Sequence, residues 1–421
     1  MATLTAGKIA EVMFENFIET YEHQTMMLDL VDGEQPEQAK LSNAGNTIWY
    51  PVQQHRPILK GFDLTGQEQG IIEETYPISL GEPSGDLIEQ RVDDMRDMRF
   101  WERAGEQAAY QQATDLNGEL AALVSNTGSL YYESNATSGY DFISEGQALI
   151  NERQVYKGMG CNFLLNDRAT QKFSQDLAGR QTLQGRPEQT WKTGQIGQNV
   201  AEFDVFTGSF TKRLGAPGAG GSTLTATVSE KPEGGSVDPI TKVVTNVDYR
   251  NGTLPVVDGT AYNVGDVVSV AGVKSVGLAS KDANDADMTF KVVGITGNNL
   301  TVFPKPIALD DPALTELEKA YANIDTQLTS GTTIAVVNTV EQRSNIFWAK
   351  DSLQMIGGNC PWDLASEYSG MKVISKQLAS GVTCYMIYDA NLKTANFNYR
   401  FFVWYGLGNR NPMANGVAVD I

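Results

Sequence analysis

From Ala6 to Met27 the apolar residues Ile9, Met13, Phe17 and Tyr21 return at every fourth position. That spacing predicts an amphipathic helix. Glu11, Glu15, Glu19 and Glu22 form an acidic stripe opposite them. Such a stripe reads either as a solvated face or as a docking surface for a basic partner. From Asn46 to Leu80 the helical period is lost. Pro51, Pro57, Pro77 and Pro83 exclude a long helix here, because proline removes a backbone donor and clashes with the preceding turn. An extended, hairpin-like segment is expected. Its apolar residues Ile48, Trp49, Ile58, Phe62, Ile71 and Ile72 need cover, such as another subunit.

The period returns over Asp86–Asn126, where Val92, Met95, Met98, Trp101, Ala104, Ala108, Leu116, Leu120 and Leu123 recur mostly at three or four. This predicts one long helix of about 35–40 residues, spanning about 50–60 Å. Asn135–Leu214 alternates between the two periods. Glu145–Arg153 and Arg168–Asp176 read as helices, and Gly160–Leu165 as a strand. Lys372–Leu378, Thr383–Tyr388 and Asn398–Tyr405 alternate as strands do.

Between about Gly215 and Val340 the chain changes character. A glycine-rich entry, Gly215–Gly221, leads into short β-branched runs: Thr223–Val228, Thr241–Val247, Val264–Val270, Met288–Ile295, Leu300–Phe303 and Thr333–Val337. A compact β unit inside a longer mixed chain predicts an inserted domain. Asp282–Asp287 reads as an acidic turn. It lacks the Gly and Glu that a calcium loop requires at its sixth and twelfth positions.

Composition narrows the function. The chain has 421 residues, 41% of them hydrophobic, and a formal charge of −19 from 51 acidic and 32 basic residues. That balance argues against broad nucleic-acid or anionic-membrane binding, which needs clustered cations. Three scattered cysteines, Cys161, Cys360 and Cys384, argue against a disulfide framework and for a reducing compartment. No basic-then-apolar leader opens the sequence, and no apolar run approaches the ~20 residues of a membrane span. The two histidines, His23 and His55, have no partner at motif spacing. Gly215–Gly221 is not followed by the Lys-Ser/Thr of a phosphate loop. No catalytic residue, cofactor or metal is therefore expected, and the chain is read as a non-enzyme.

Several phrases point one way. Asn46-Thr-Ile-Trp-Tyr-Pro-Val52 and Gly61-Phe-Asp-Leu-Thr65 resemble the major capsid (coat) proteins of short-tailed lambdoid phages of enteric bacteria. So do Gly265–Lys274, Pro304–Asp311, Ala320–Thr326, Asn345–Asp351 and Val403–Gly406. They fall in family order over nearly the whole chain. The resemblance implies an α+β fold of Hong Kong 97 type with an inserted β-barrel-like domain of telokin type. It sets the boundaries at 1–45 for an N-terminal arm, 46–85 for an E-loop and 86–130 for the spine helix of a peripheral domain. An axial domain would take 131–221, the insertion 222–338, and 339–421 would complete the axial domain and return to the peripheral one.

The resemblance also implies partners. The chain would form hexamers and pentamers in a shell, on a scaffolding protein and around a portal protein. It would enclose double-stranded DNA without reading its sequence and would not touch a membrane. Assembly would take place in the host cytoplasm and end in the virion capsid. Glu11, Glu15 and Glu19 become candidates for scaffolding contact. A loop at about Ser229–Lys242, with Glu230, Lys231, Glu233, Asp238 and Lys242, would reach a neighbouring capsomer. The β island alone would equally suit an adhesion or receptor-binding protein. A hydrolase with a degenerate site is the third reading.

Overall fold

The computed structural model describes residues 6–36, 46–52, 72–91, 98–136, 138–154, 160–179, 195–235, 247–359, 372–391 and 396–421, with the single positions 62, 65 and 70. Two compact units divide the chain.

The first unit takes Met1–Ile48, Ile78–Leu120 and Gln354–Gly408. Its first helix, α1 (Ala6–Gln24), buries Ala10, Met13, Phe14, Phe17, Ile18 and Tyr21. Met13, Phe17 and Tyr21 follow the predicted fourfold face, while Ile9 at its start is only partly buried. Each large apolar side chain sealed in this way contributes about 1.5–3 kcal/mol. The Phe17 ring stacks on Phe401 at 4.9 Å. The second helix, α2 (Met98–Thr127), runs through this unit as far as Leu120. Its 30 residues span about 45 Å. Gly105 lets it meet α1 backbone to backbone, since a Cβ there would stand 2.7 Å from the Met13 carbonyl oxygen. Asn117 fastens the end of α1, donating from Nδ2 to the Gln24 carbonyl at 2.9 Å and accepting from the Met27 amide at 3.3 Å.

Two sheets belong largely to this unit. One joins β1 (Asp32–Glu34), β15 (Leu353–Gly357) and β19 (Tyr405–Asn409). The other is antiparallel, in the order β16 (Lys372–Gln377), β17 (Thr383–Asn391), β18 (Asn396–Val403) and β4 (Ser84–Arg91).

The second unit takes Trp49–Pro77, Ala121–Leu353 and Asn409–Ile421. Its six-stranded sheet runs β5 (Leu130–Ser134), β20 (Asn415–Asp420), β14 (Asn345–Ala349), β6 (Cys161–Leu165), β8 (Phe203–Thr207) and β7 (Gln195–Val200). The helices α3 (Gly139–Glu152) and α4 (Asp167–Gly179) pack with it. Its core is aromatic. Phe163 lies 5.5 Å from Phe203, 5.7 Å from Phe347 and 5.9 Å from Phe142.

The inserted domain carries a five-stranded antiparallel sheet, ordered β13 (Ile334–Val336), β10 (Val267–Val276), β11 (Ala283–Thr296), β12 (Asn299–Phe303) and β9 (Gly252–Pro255). Alternate residues fill its core: Val268 and Val270, then Met288, Phe290 and Val292, then Leu300 and Val302. Thr223 bridges to Thr333 and Leu224 to Val256, so one segment contacts both edges of the sheet. Met413, outside the inserted stretch, joins the same core. A short hairpin of β2 (Thr47–Pro51) and β3 (Thr75–Ser79) completes the described strands.

Several expectations need correction. Asp86–Arg91 is strand, not helix. It pairs residue by residue with β18, from Asn396 opposite Arg91 to Val403 opposite Ser84. This long-range pairing overrides the local helical spacing, and the helix is shorter than expected. Thr223–Val228 forms isolated bridges rather than a strand. Asp282–Asp287 is mostly the start of β11, where Asp287 lies opposite Lys274 and pairs with it at 2.7 Å. The hairpin expected over 46–80 is seen at its foot; most of its span, and the strand expected at Thr241–Val247, lie largely outside the described residues.

Candidate assembly surfaces

The acidic stripe of α1 follows from its helical period. Glu11, Glu15, Glu19 and Glu22 are all exposed, while Met13, Phe17 and Tyr21 are buried. One helix face is thus committed to the core and the other presents four carboxylates to solvent.

The described half of the 229–242 loop is anchored within its own chain. Ser229 Oγ donates to Asp311 Oδ2 at 2.6 Å. Glu230 Oε1 accepts from the Thr253 amide at 3.0 Å, which engages that carboxylate inside the domain. The Lys231 carbonyl accepts from Lys305 Nζ at 3.1 Å. The Lys231 and Glu233 side chains are exposed. Gly234 lies directly on the hairpin foot, where a Cβ would come within 2.2 Å of the Glu73 carbonyl oxygen. The Gly235 amide donates to Thr75 Oγ1 at 2.8 Å. Asp238 and Lys242 lie outside the described residues.

Behind this contact is a charged cluster that the sequence reading missed. Arg250 is 6% exposed. Its guanidinium grips Asp248 with two bonds, Nε to Oδ1 at 3.0 Å and Nη2 to Oδ2 at 2.7 Å. It also donates from Nη1 to the Asn409 carbonyl. The Tyr76 and Phe303 rings flank it, at 4.1 and 5.2 Å from Cζ. Beside it lies Glu74, 5% exposed, whose Oε1 has no hydrogen-bond partner. Burial pushes the Glu74 carboxyl up to about 7, against the pull of Lys305 and Arg250. The Tyr76 ring under Arg250, and the Glu74 amide donating to Tyr321 Oη at 3.3 Å, tie the hairpin foot to this stretch. The cluster's local signal was the Asp248-Tyr-Arg250 triplet, in which a short turn lets the carboxylate meet the guanidinium.

Among the described residues no group of three His, Cys, Asp or Glu side chains is placed to hold a metal ion. No helix among them is long and apolar enough to cross a membrane. His23 is exposed on α1, and His55 lies outside the described residues.

By family, the chain is a major capsid protein of a phage shell. More particularly, the family model described as P22 coat protein, gene protein 5, matches residues 1–420, and the chain belongs to that family. The family is structural, not an enzyme class, and its members build shells from copies of themselves. Among solved structures, the chain is similar to the capsid of cyanophage P-SCSP1u, at 7% identity and TM-score 0.43, over 93% of this chain and 86% of that one. It is also similar to the mature capsid of bacteriophage PhiM1, at 9% identity and TM-score 0.39, over 89% and 82%. The CUS-3 coat protein I-domain matches at 24% identity and TM-score 0.22, over 29% of this chain and 97% of that one.

Proposed function

We propose that this chain assembles with a scaffolding protein and a portal protein into an icosahedral procapsid of hexamers and pentamers. The shell then expands to hold packaged double-stranded DNA. Family membership carries the reading of a shell protein. The partners rest on the exposed acidic face of α1 and on the charged 229–242 loop. In this reading residues 1–45 are the arm, 46–85 the E-loop, 86–130 the spine region and 222–338 the insertion, set within an axial domain. Glu11, Glu15 and Glu19 receive a basic segment of the scaffold. Lys231, Glu233, Asp238 and Lys242 face a neighbouring capsomer, with Glu230 holding the loop's root.

Electron microscopy of the chain coexpressed with its scaffolding protein tests the whole. Closed shells are expected; monomers or small oligomers under all conditions would overturn the proposal. The double variant Glu15→Lys, Glu19→Lys tests the docking face. It should lower the scaffold content of the particles, most at low salt, where charges are least screened. Unchanged scaffold content would reject that face while leaving the shell intact. The adhesin reading predicts that the insertion is dispensable for assembly. Met413 in its core argues otherwise, so deleting 222–338 is expected to impair folding or assembly.

A further inference from the structure

Strand β11 turns Met288, Phe290 and Val292 into the inserted domain's core, so Thr289 and Lys291 face the other way. That other side meets the end of α2. Thr289 Oγ1 donates to the Ser129 carbonyl. Lys291 faces a cleft of about 340 Å³ that Ser125, Asn126, Lys212, Arg213 and Gly265 also line.

This cleft is short of negative charge. Lys291 is 4% exposed, and its ammonium has no hydrogen-bond acceptor among the described residues. Asp266 acts on Lys291 through its charge, against burial, but makes no hydrogen bond with it. It accepts from the Gly218 amide at 3.1 Å, the Asn263 amide at 2.7 Å and Asn338 Nδ2 at 3.5 Å. The last turn of α2 also offers Lys291 little. The Leu123, Val124 and Thr127 carbonyls accept from Thr127 Oγ1, the Gly128 amide and Asn409 Nδ2. Burial accordingly pushes the Lys291 ammonium down to about 8. Ser125 Oγ, 2% exposed, has no partner either. At the mouth, Lys212 Nζ holds, among the described residues, only the Asn126 side-chain oxygen, at 3.3 Å. Arg213 is answered by Glu341 at 3.2 Å, with both side chains largely exposed.

We propose that this cleft binds a phosphate-class oxyanion, with Lys291 at its floor, Ser125 donating beside it, and Lys212 and Arg213 at its mouth. Once Glu341 has answered Arg213, Lys212 and Lys291 remain against one carboxylate, Asp266, that acts on Lys291. A phosphate group brings negative charge and several acceptor oxygens, which the Lys291, Ser125 and Lys212 donors can share. A carboxylate offers one charge and two oxygens, which would leave part of the donor set unmet. The volume falls in the range of about 300–1,000 Å³ usual for small-molecule sites, and leaves room for an ester substituent. The shared chemistry has two sources, inorganic phosphate and the phosphodiester of a nucleic acid.

The test uses the full, unassembled chain. Thermal unfolding is measured in inorganic phosphate and in chloride at equal ionic strength, so that general screening cancels. A bound anion stabilises the native state by mass action. Phosphate should therefore raise the unfolding midpoint above its chloride value and broaden the ³¹P resonance. Lys291→Met should lose the phosphate response. In chloride it should unfold at a higher temperature than the parent, because a desolvated charge without a hydrogen-bond acceptor has been removed. If Lys291→Met fails to fold, the exposed pair Lys212→Ala, Arg213→Ala carries the same test and should lower phosphate affinity several-fold. A thymidine dinucleotide phosphodiester in place of phosphate separates the sources. Binding of phosphate alone assigns a free oxyanion, and binding of both admits a nucleic-acid backbone. Equal midpoints in phosphate and chloride, or a full response in the variants, would overturn the proposal.

Discussion

Arg250 and Lys291 are sealed to the same degree, 6% and 4% exposed, and both belong to the inserted domain. Their surroundings are opposite. Arg250 has a chelating carboxylate, a backbone carbonyl and two aromatic faces. Lys291 has a cleft and, among the described residues, no hydrogen-bond acceptor. A planar guanidinium with five donors in fixed directions can be satisfied by a rigid scaffold, whereas an ammonium is a compact point charge that loses more hydration when buried. The difference separates two uses of a buried cation. One holds two parts of the chain together, and the other keeps charge in reserve for something that arrives.

Arg250→Ala should break this contrast most strongly. It removes the buried half of a pair whose carboxylate, Asp248, is 27% exposed and keeps the backbone amide of residue 250, and it leaves the Asn409 carbonyl without the guanidinium. Losing hydrogen bonds to a charged group costs about 1.5–3 kcal/mol. Urea unfolding of the unassembled chain should show a drop of that size, with the hairpin foot released from the inserted domain. A loss below about 1 kcal/mol would mean that Arg250 is no more structural than Lys291.

Glu74 sharpens the comparison through pH. Its carboxyl sits at about 7 in the folded chain, raised by burial from an ordinary 4.5. The native state therefore holds this proton more tightly than the unfolded state does. The stability it contributes is fully present below about pH 4.5 and is lost as pH rises through about 7. The swing is about 3 kcal/mol. Lys291 runs in the other sense. Its pKa is depressed from 10.5 to about 8, so its contribution is present above about 10.5 and is lost as pH falls through about 8. Glu74→Gln should flatten the fall between pH 5 and pH 7.5 and leave the alkaline rise untouched. An unchanged acid-side slope would show that Glu74 does not carry it.

How much of this was legible beforehand depended on the range of the contacts involved. The α1 face was legible because its period and its burial are the same local fact: Met13, Phe17 and Tyr21 recur on one side and are buried there. The inserted sheet was legible for the same reason, since Val268 and Val270 alternate inward. Asp86–Arg91 misled because its partner strand begins at Asn396, far along the chain. Asp282–Asp287 misled because Lys274, which answers Asp287, sits on another strand. The acidic stripe was found, but neither buried cation was. Arg250 is held from Tyr76, Phe303 and Asn409, three distant stretches of sequence. Lys291 had one signal, a lone charge inside the apolar run Met288–Ile295. Burial on both faces of a strand would have been needed to read it.

A third cation supplies the smallest and most discriminating expectation. Lys172 on α4 pairs with Asp420 on β20 at 2.7 Å, as short as the Arg250–Asp248 contact. Yet its side chain is 47% exposed. If distance alone set the strength of a pair, Lys172→Ala would approach the effect of Arg250→Ala. If burial sets it, the exposed pair gains little Coulomb energy in water and spends side-chain entropy to form. The second argument should hold, with a coupling of about 0.5 kcal/mol in a double-mutant cycle with Asp420→Asn, fading in high salt. A coupling above about 2 kcal/mol would show that geometry, not desolvation, separates the cations of this shell protein. The contrast between Arg250 and Lys291 would then need another cause.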